Sequence, residues 1–425
     1  MLGVFLGSLF GSLVLGVPIA FALILSGVAL MFIMGTFDSQ IIAQNLINGA
    51  NNFSLMAIPF FVLAGELMNA GGISKRIVSF AMALVGHIRG GLGFVAIIAS
   101  VLFAGLSGSA VADTAALGAI LIPMMVSRGY KIDRSTGLIC ASGIIAPVIP
   151  PSIPMIIFGV TSGVSITQLF MGGIIPGIMM GGGLLIVWAF LARKDDTAKL
   201  PKRSSGKEIL SAIKQASWAL FLPVIIIGGL RGGIFTPTEA AVVAAFYALF
   251  VGLFVYREIK VKELYSVLVA AAKTTSVVMF VAAAAMVSAW LITVANVPTE
   301  IANMLSGVIE HPLMLLLLIN LLLLAVGLVM DLTPAILIFT PVLLPVVKMA
   351  GIDPVYFGII MVINLCIGLI TPPVGTVLYV GCGISKIDIL QITRGILPFL
   401  LVHVIVLLLL ILFPSIIMVP LQWLT

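Results

Sequence analysis

Two proline pairs in apolar sequence are the residues whose type and spacing first suggest chemistry. Pro150 and Pro151 lie in the first half of the chain and Pro372 and Pro373 in the second. Proline lacks an N–H group and interrupts the hydrogen-bond ladder of a helix, so carbonyl oxygens about one turn earlier lose their donor. Each pair therefore predicts a broken helix, with free carbonyl groups that suit a cation and free N–H groups that suit an anion.

Each proline pair is preceded by an aspartate that follows turn-forming residues. Asp113 follows Ser107-Gly108-Ser109 and lies ten residues before Pro123, whereas Asp331 follows Gly327 and lies ten residues before Pro341. A carboxylate at membrane depth is costly and is usually paired or binds an ion. We expect Asp113 and Asp331 to cap returning helices with an electrostatic contribution; ion binding and proton transfer remain alternatives.

Alkali cations prefer oxygen ligands, so the turns and the helix breaks together predict two Na⁺ sites. The predicted ligands, mostly backbone carbonyls, are Ser107, Ser109, Ala146, Ile149 and Pro151 for the first site and Gly327, Gly368, Thr371 and Val374 for the second. Substrate or gating contacts are predicted for Asp113, Asp331, Ser142, Asn364, Pro150, Pro372 and Pro373. Ser142 and Asn364, each eight residues before its proline pair, could instead form hydrogen bonds between helices.

The composition indicates which type of secondary structure contains these residues. Hydrophobic residues make up 62% of the 425 residues and charged residues only 8%, which excludes a soluble enzyme and a disordered chain. Long uniformly apolar runs satisfy their backbone groups in lipid by forming helices. The sequence therefore predicts an all-α polytopic membrane protein, in which residues 1–34 form the first transmembrane helix.

The charges of two interfacial arms predict that the halves of the chain are inverted repeats. Residues 73–90 contain three basic residues and no acidic residue, whereas residues 296–312 contain two acidic residues and no Lys or Arg. Basic residues concentrate in cytoplasmic segments, so the arms should lie on opposite sides of the membrane. We therefore expect an inverted repeat with two re-entrant helical hairpins and two broken helices that meet near the middle of the bilayer.

This scheme divides the chain into five segments. Scaffold helices and the first arm occupy 1–90, and a cytoplasmic linker occupies 193–217. The first transport repeat is 91–192, with its hairpin at 91–127 and its broken helix at 136–160. Further scaffold helices and the second arm occupy 218–312. The second transport repeat and the last helix occupy 313–425, with the hairpin at 313–347 and the broken helix at 354–385.

Four motifs resemble the large membrane subunit of TRAP (tripartite ATP-independent periplasmic) transporters. They lie at residues 57–66, 68–73, 106–115 and 144–152. The resemblance covers nearly the whole chain and implies an elevator-type fold related to the divalent anion/sodium symporters. It also implies Na⁺-driven import of an organic acid across the bacterial inner membrane, with a periplasmic substrate-binding protein and a small four-helix membrane subunit as partners.

The likeness, including residues 51–55, favours a sialic acid or a related sugar acid, and a C4-dicarboxylate remains possible. A proton-coupled or Na⁺-independent anion carrier of the same fold is the main alternative. A second alternative is an intramembrane serine protease, because Gly105-Leu106-Ser107-Gly108 matches a short G-x-S-G motif. That chemistry needs a histidine near Ser107, and His403 is the candidate within an apolar helix. We expect a transporter and not an enzyme.

Overall fold

The computed structural model describes residues 1–193 and 203–424, and all regular structure over these residues is helical. The α-helices of the first half are Leu2–Val14 (α1), Ile19–Met34 (α2), Ser39–Ala50 (α3), Ala57–Ala70 (α4), Ile73–Val85 (α5), Gly91–Ser107 (α6), Ala110–Ser127 (α7), Ile132–Gly143 (α8), Ile153–Ser162 (α9) and Ile166–Ala192 (α10). Those of the second half are Gly206–Arg231 (α11), Pro237–Phe250 (α12), Val261–Val294 (α13), Val297–Met304 (α14), Ser306–Ile309 (α15), Pro312–Gly327 (α16), Leu332–Met349 (α17), Pro354–Gly368 (α18), Thr376–Ser385 (α19), Ile389–Leu412 (α20) and Ser415–Leu424 (α21).

Two short segments add to these helices. A 3₁₀ turn, Phe53–Met56, precedes α4, and a π-helical turn, Val251–Val255, extends α12. Eight helical segments among the described residues are long and apolar enough to cross a membrane. The prediction of an all-α polytopic membrane protein is therefore confirmed.

The structure differs from two expectations about helix bounds, the single helix over 1–34 and the extent of the linker. Residues 1–34 form two helices and not one, because Gly16 has a φ of 80° and Pro18 stands at the N-cap of α2. The segment predicted as the linker, 193–217, already contains the start of α11 at Gly206. Ser205 and Glu208 form a reciprocal capping box there, which satisfies two N–H groups at the helix start. Residues 194–202 lie outside the described part of the chain.

Both halves contain a helix-turn-helix followed by a broken helix. In the first half, α6 and α7 meet at Gly108, which has a φ of 63°, and α8 and α9 flank residues 144–152. In the second half, α16 and α17 flank residues 328–331, and α18 and α19 flank residues 369–375. The Pro150–Pro151 and Pro372–Pro373 peptide bonds are both cis.

The packing of these elements is repeated between the halves. Helix α9 packs on α17, and its counterpart α19 packs on α7. Likewise α8 packs on α20 while α18 packs on α10, and each returning hairpin helix packs on the first half of its own broken helix. The two hairpins and two broken helices therefore interlock into one body.

A second group of helices surrounds this body. Helix α13 packs on α2, α3 and α4, and α4 packs on the alanine-rich face of α12. Small residues allow close approach of helix backbones within a membrane. Helices α4 and α13 of this group approach the turns and breaks of the interlocked body, and α11 packs on α6.

Candidate functional site

The tip of the first hairpin lies directly against the first helix break. A Cβ atom added at Gly108 would lie 2.5 Å from the carbonyl oxygen of Pro151, so only glycine fits here. The Ser107 hydroxyl donates a hydrogen bond to Asp113 and accepts one from the Ser109 N–H group at 3.2 Å. The sequence-predicted residues Ser107, Ser109 and Pro151 are thus brought together.

The break itself leaves carbonyl oxygens without donors. Ser152 caps α9 and donates its hydroxyl hydrogen to the carbonyl of Pro147. No donor within residues 1–193 and 203–424 reaches the carbonyl oxygens of Ala146, Ile149 or Pro151. These carbonyl oxygens are available to a cation, because the prolines at the break have no N–H group to donate.

The second hairpin and the second break meet through two glycines. A Cβ atom added at Gly368 would lie 2.6 Å from the Cα atom of Gly327 and 2.8 Å from its carbonyl oxygen. The Thr371 hydroxyl donates its hydrogen to Ile367 O at 2.6 Å, which leaves its lone pairs free to bind a cation. Gly327 and Gly368 are therefore in contact, and the Thr371 N–H group donates to the Gly368 carbonyl at 3.0 Å.

Both tips and both breaks open onto one central cavity of about 290 Å³. Its lining residues from the first repeat are Gly108, Ser109, Ala110, Val111, Pro147, Ile153 and Pro154, and those from the second are Asp331, Leu332, Thr333 and Leu369. Val62 of α4 with Thr274 and Val278 of α13 complete the wall. The cavity lies between the interlocked body and the surrounding helices.

Helix ends and one acidic side chain, Asp331, set the electrostatics of this cavity. Helices α7, α9 and α17 each begin at its wall, and the positive ends of their dipoles favour an anion there. Among the lining residues that the structure describes, none is Lys or Arg. The helix ends of this arrangement can therefore hold a carboxylate through N–H groups.

The two aspartates lie at the starts of α7 and α17, as expected, but neither side chain forms a capping hydrogen bond. Helix α7 is capped by Ser109, whose hydroxyl accepts the Ala112 N–H at 3.4 Å, and Asp113 lies a turn later. Asp113 is buried, and its second carboxylate oxygen has no partner among the described residues. Asp331 occupies the N-cap position of α17 but accepts instead from the Thr376 hydroxyl at 3.4 Å. The carboxylate of Asp113 accepts instead from Ser107 across the turn, and that of Asp331 from Thr376 of α19.

Ser142 and Asn364 form hydrogen bonds between helices, which was the second of their two predicted roles. Ser142 accepts from Ser100 of α6 at 2.9 Å, and Asn364 donates to the side chain of Asn320 of α16 at 2.7 Å. All four side chains are buried. Five of the residues predicted to contact substrate do not line the central cavity or a smaller cavity that adjoins it. They are Ser142, Asn364, Pro150, Pro372 and Pro373.

The sequence interpretation missed part of the cavity wall. Glu66, Asn69 and Thr274 line a smaller adjoining cavity of about 90 Å³, and Thr333 lines the central one. Glu66 and Asn69 lie within the motifs that resemble the TRAP family, so these motifs could have identified them as candidate site residues. No sequence feature marks Thr274 as a site residue, because the sequence of this 34-residue helix does not indicate which of its faces contacts a hairpin tip.

The geometry also removes the protease alternative. Ser107 donates to Asp113, whereas the His403 ring nitrogen Nε2 lies 2.9 Å from the carbonyl of Ala141. The serine hydroxyl donates its hydrogen bond to a buried carboxylate, and the histidine contacts a backbone carbonyl. The two residues therefore do not form a serine–histidine dyad.

A helical membrane protein with broken helices around a central cavity has the architecture of a membrane transporter. A solved structure supports this fold: it is described as the crystal structure of the YdaH transporter from Alcanivorax borkumensis. The TM-score is 0.62 at 14% identity, and the match covers 89% of this chain and 90% of that one.

Residues 6–416 match the family described as the DctM component of the tripartite ATP-independent periplasmic transporter. A putative TRAP transporter large permease protein of Haemophilus influenzae is 57% identical over 99% of both chains. The 2,3-diketo-L-gulonate TRAP transporter large permease protein YiaN of Escherichia coli is 55% identical over 99% of both. The sialic acid TRAP transporter large permease protein SiaM of Vibrio cholerae is 43% identical over 96% of both.

The chain therefore belongs to the DctM family of TRAP transporter large permeases. It is a multi-pass protein of the bacterial inner membrane and a transport component, not an enzyme, which confirms both sequence-based expectations. Large permeases of this family work with a small membrane subunit and a periplasmic binding protein.

Proposed function

We propose that this chain imports an organic acid together with Na⁺. The convergence of both hairpin tips and both helix breaks on one cavity is the observation that carries this proposal. In transporters built from repeats, substrate and coupling ions bind where interrupted helices meet. A periplasmic binding protein delivers the acid, and a separate small four-helix subunit completes the membrane complex.

The carboxylate of the substrate binds at the starts of α7, α9 and α17. These N-termini present N–H groups toward the cavity, and Ser109 and Thr333 add hydroxyl donors. Because the described lining contains no Lys or Arg, the charge of the anion is balanced by bound Na⁺.

Na⁺ binds at two sites related by the repeat. The carbonyl oxygens of Ala146, Ile149 and Pro151, together with Ser107 and Ser109, form the first. Gly327, Gly368, Thr371 and Val374 form the second. Each charge that moves inward gains about 2.3 kcal/mol per 100 mV, so two Na⁺ ions with a monoanion drive accumulation.

Transport proceeds by an elevator movement of the interlocked body. We assign α6–α9 and α16–α19 to the mobile body, and α1–α4, α11–α13 and the two arms to the scaffold. The repeated packing of the two halves supports an inverted repeat, because each broken helix contacts the hairpin of the other half.

A sugar-derived acid is the proposed substrate. The 55% identical relative is named for 2,3-diketo-L-gulonate and the 43% identical relative for sialic acid. A relative from Pseudomonas aeruginosa named for C4-dicarboxylates is 40% identical over 94% of this chain and 93% of its own length. The greater similarity lies with the sugar-acid relative.

Substitution of Thr371 tests the Na⁺ coupling. Uptake of 2,3-diketo-L-gulonate is measured in proteoliposomes that contain the permease, its small subunit and its binding protein, with an inward Na⁺ gradient. We expect Thr371→Val to raise the Na⁺ concentration for half-maximal uptake about tenfold, because one ligand of a hard cation is lost.

Thr393→Val is the matched control, since Thr393 makes the same hydrogen bond to the carbonyl four residues earlier, also at 2.6 Å, on α20 away from the cavity. It should leave the Na⁺ dependence unchanged. Uptake by the unsubstituted complex that follows a proton gradient, or that needs no Na⁺, would contradict the proposal and establish the proton-coupled or Na⁺-independent carrier.

A further inference from the structure

The central cavity continues into a smaller cavity against the scaffold. The two cavities share Val62, Ser109, Ile153 and Thr274 in their walls, so they adjoin. The smaller cavity has a volume of about 90 Å³, and Glu66 and Asn69 of α4 form its scaffold side. Residues three apart lie on the same face of a helix, so both side chains face the same space.

Close packing beside this wall fixes its position relative to the first hairpin. A Cβ atom added at Gly65 would lie 3.8 Å from the Cα atom of Ser107, which is van der Waals contact. The next residue, Glu66, therefore extends beside the hairpin tip that lines both cavities.

The Glu66 carboxylate is available to a ligand. Across the described ranges it forms no hydrogen bond and no ion pair, and its side chain is half-buried. A water molecule needs roughly 10–15 Å³ of such space, so a cavity of about 90 Å³ holds several. Within the described chain, no Lys, Arg or His lines either cavity.

These groups form an acceptor-rich wall opposite the helix N-termini. A carboxylate, an amide and the Thr274 hydroxyl bind the O–H donors of a polyol, whereas an unpaired carboxylate repels a second carboxylate. The two ends of the continuous cavity therefore differ: the N-terminus of α17 and the Asp331 carboxylate, which accepts from Thr376, lie at one end, and the Glu66 carboxylate, which forms no hydrogen bond, lies at the other.

We propose that Glu66, Asn69 and Thr274 bind the hydroxyl groups of a polyhydroxylated monocarboxylate, and that Glu66 excludes dicarboxylates. This inference rests on the proposed function, because it requires an organic acid in the central cavity. According to this inference, scaffold residues on α4 and α13 determine whether the protein binds sugar acids or dicarboxylates.

The test measures direct binding to the membrane complex in nanodiscs with Na⁺ present, so that the selectivity of the binding protein does not enter. The probes are radiolabelled 2,3-diketo-L-gulonate and succinate. We expect Glu66→Gln to weaken diketogulonate binding about tenfold, because a charged acceptor becomes neutral, and to strengthen succinate binding about fivefold. Glu66→Asp should retain discrimination against succinate, since the charge remains.

Glu310→Gln, an exposed glutamate on the second arm, is the matched control and should change neither affinity. Equal binding of both probes by the unsubstituted complex, or equal effects of Glu66→Gln on both, would overturn the inference and leave the proposed function intact. Absence of binding by either probe to the unsubstituted complex would overturn the proposed function and the inference with it.

Discussion

Two buried polar pairs occupy equivalent positions in the two halves. Ser100 and Asn320 each lie seven residues before the end of the first hairpin helix, and Ser142 and Asn364 each lie eight residues before a proline pair. Each pair joins a hairpin to its own broken helix. A hydrogen bond at this position fixes the broken helix relative to its hairpin. It therefore also fixes the carbonyl groups of the break that accept no hydrogen bond relative to the hairpin tip.

The asparagine pair is expected to stabilise the protein more than the serine pair. Asn364 donates to both the side-chain and the backbone oxygen of Asn320, at 2.7 and 2.8 Å. Asn364→Leu should therefore cost about 1–2 kcal/mol of unfolding free energy. A double-mutant cycle with Asn320→Leu, measured by unfolding in mixed micelles, gives the coupling energy.

The cycle of Ser100→Ala with Ser142→Ala is its control and should give a smaller coupling, because one hydrogen bond of 2.9 Å is involved. Additive effects of the two asparagine substitutions would show that the contact contributes no coupling energy.

At the scale of elements, the second hairpin depends on a glycine contact between α16 and α18. The Cβ atom of Gly368→Ala would meet the backbone of Gly327 at 2.6 Å, and backbone atoms cannot change rotamer to make room. The helices must separate, at a cost of about 1–3 kcal/mol. We also expect weaker apparent Na⁺ affinity, because the two glycines belong to the proposed second Na⁺ site. Thermal unfolding and Na⁺-dependent uptake measure these effects.

Gly383→Ala on α19 is the control, since nothing lies within 4 Å of its added Cβ atom. It should be neutral or slightly stabilising because alanine favours a helix over glycine. Similar losses for both variants would mean that the close approach of α16 to α18 is not required.

The breaks and turns could be predicted from local sequence because proline and glycine act on their own backbone. The two proline pairs interrupt helices and Gly108 forms a turn, whereas single prolines such as Pro123 and Pro176 lie inside continuous helices. The aspartate roles could not be predicted in this way. Asp113 is held by Ser107 and Asp331 by Thr376, and these partners are set by how a turn folds back or by a different helix.

The cavity wall on the scaffold was less predictable still. Glu66 and Thr274 are about two hundred residues apart in sequence, and only the packing of α4 on α13 brings them to one space. The charge pattern that indicated the arms carries no information about which helix faces meet.

At the scale of the whole molecule, the two bodies touch through very close contacts. Gly105 of α6, in the proposed mobile body, lies against Pro223 of α11 in the proposed scaffold, and a Cβ atom added at Gly105 would be 3.4 Å from the Pro223 Cβ atom. Disulfides span about 3.5–4.5 Å between Cβ atoms, so this pair nearly meets that geometry. Neither residue is a predicted ligand, which separates loss of movement from loss of binding.

Crosslinking this contact tests the elevator movement. Gly105→Cys with Pro223→Cys should lose uptake on oxidation, retain Na⁺ binding, and recover uptake on reduction, because a fixed body cannot carry its cavity across the membrane. The control pair, Ser26→Cys with Ser288→Cys, joins α2 to α13 within the scaffold, where the two hydroxyls are 3.4 Å apart, and should leave uptake unchanged. Mass spectrometry measures the crosslinked fraction. Unchanged uptake by fully crosslinked Gly105–Pro223 complexes would show that α6 does not move past α11, and the division into mobile body and scaffold would be wrong.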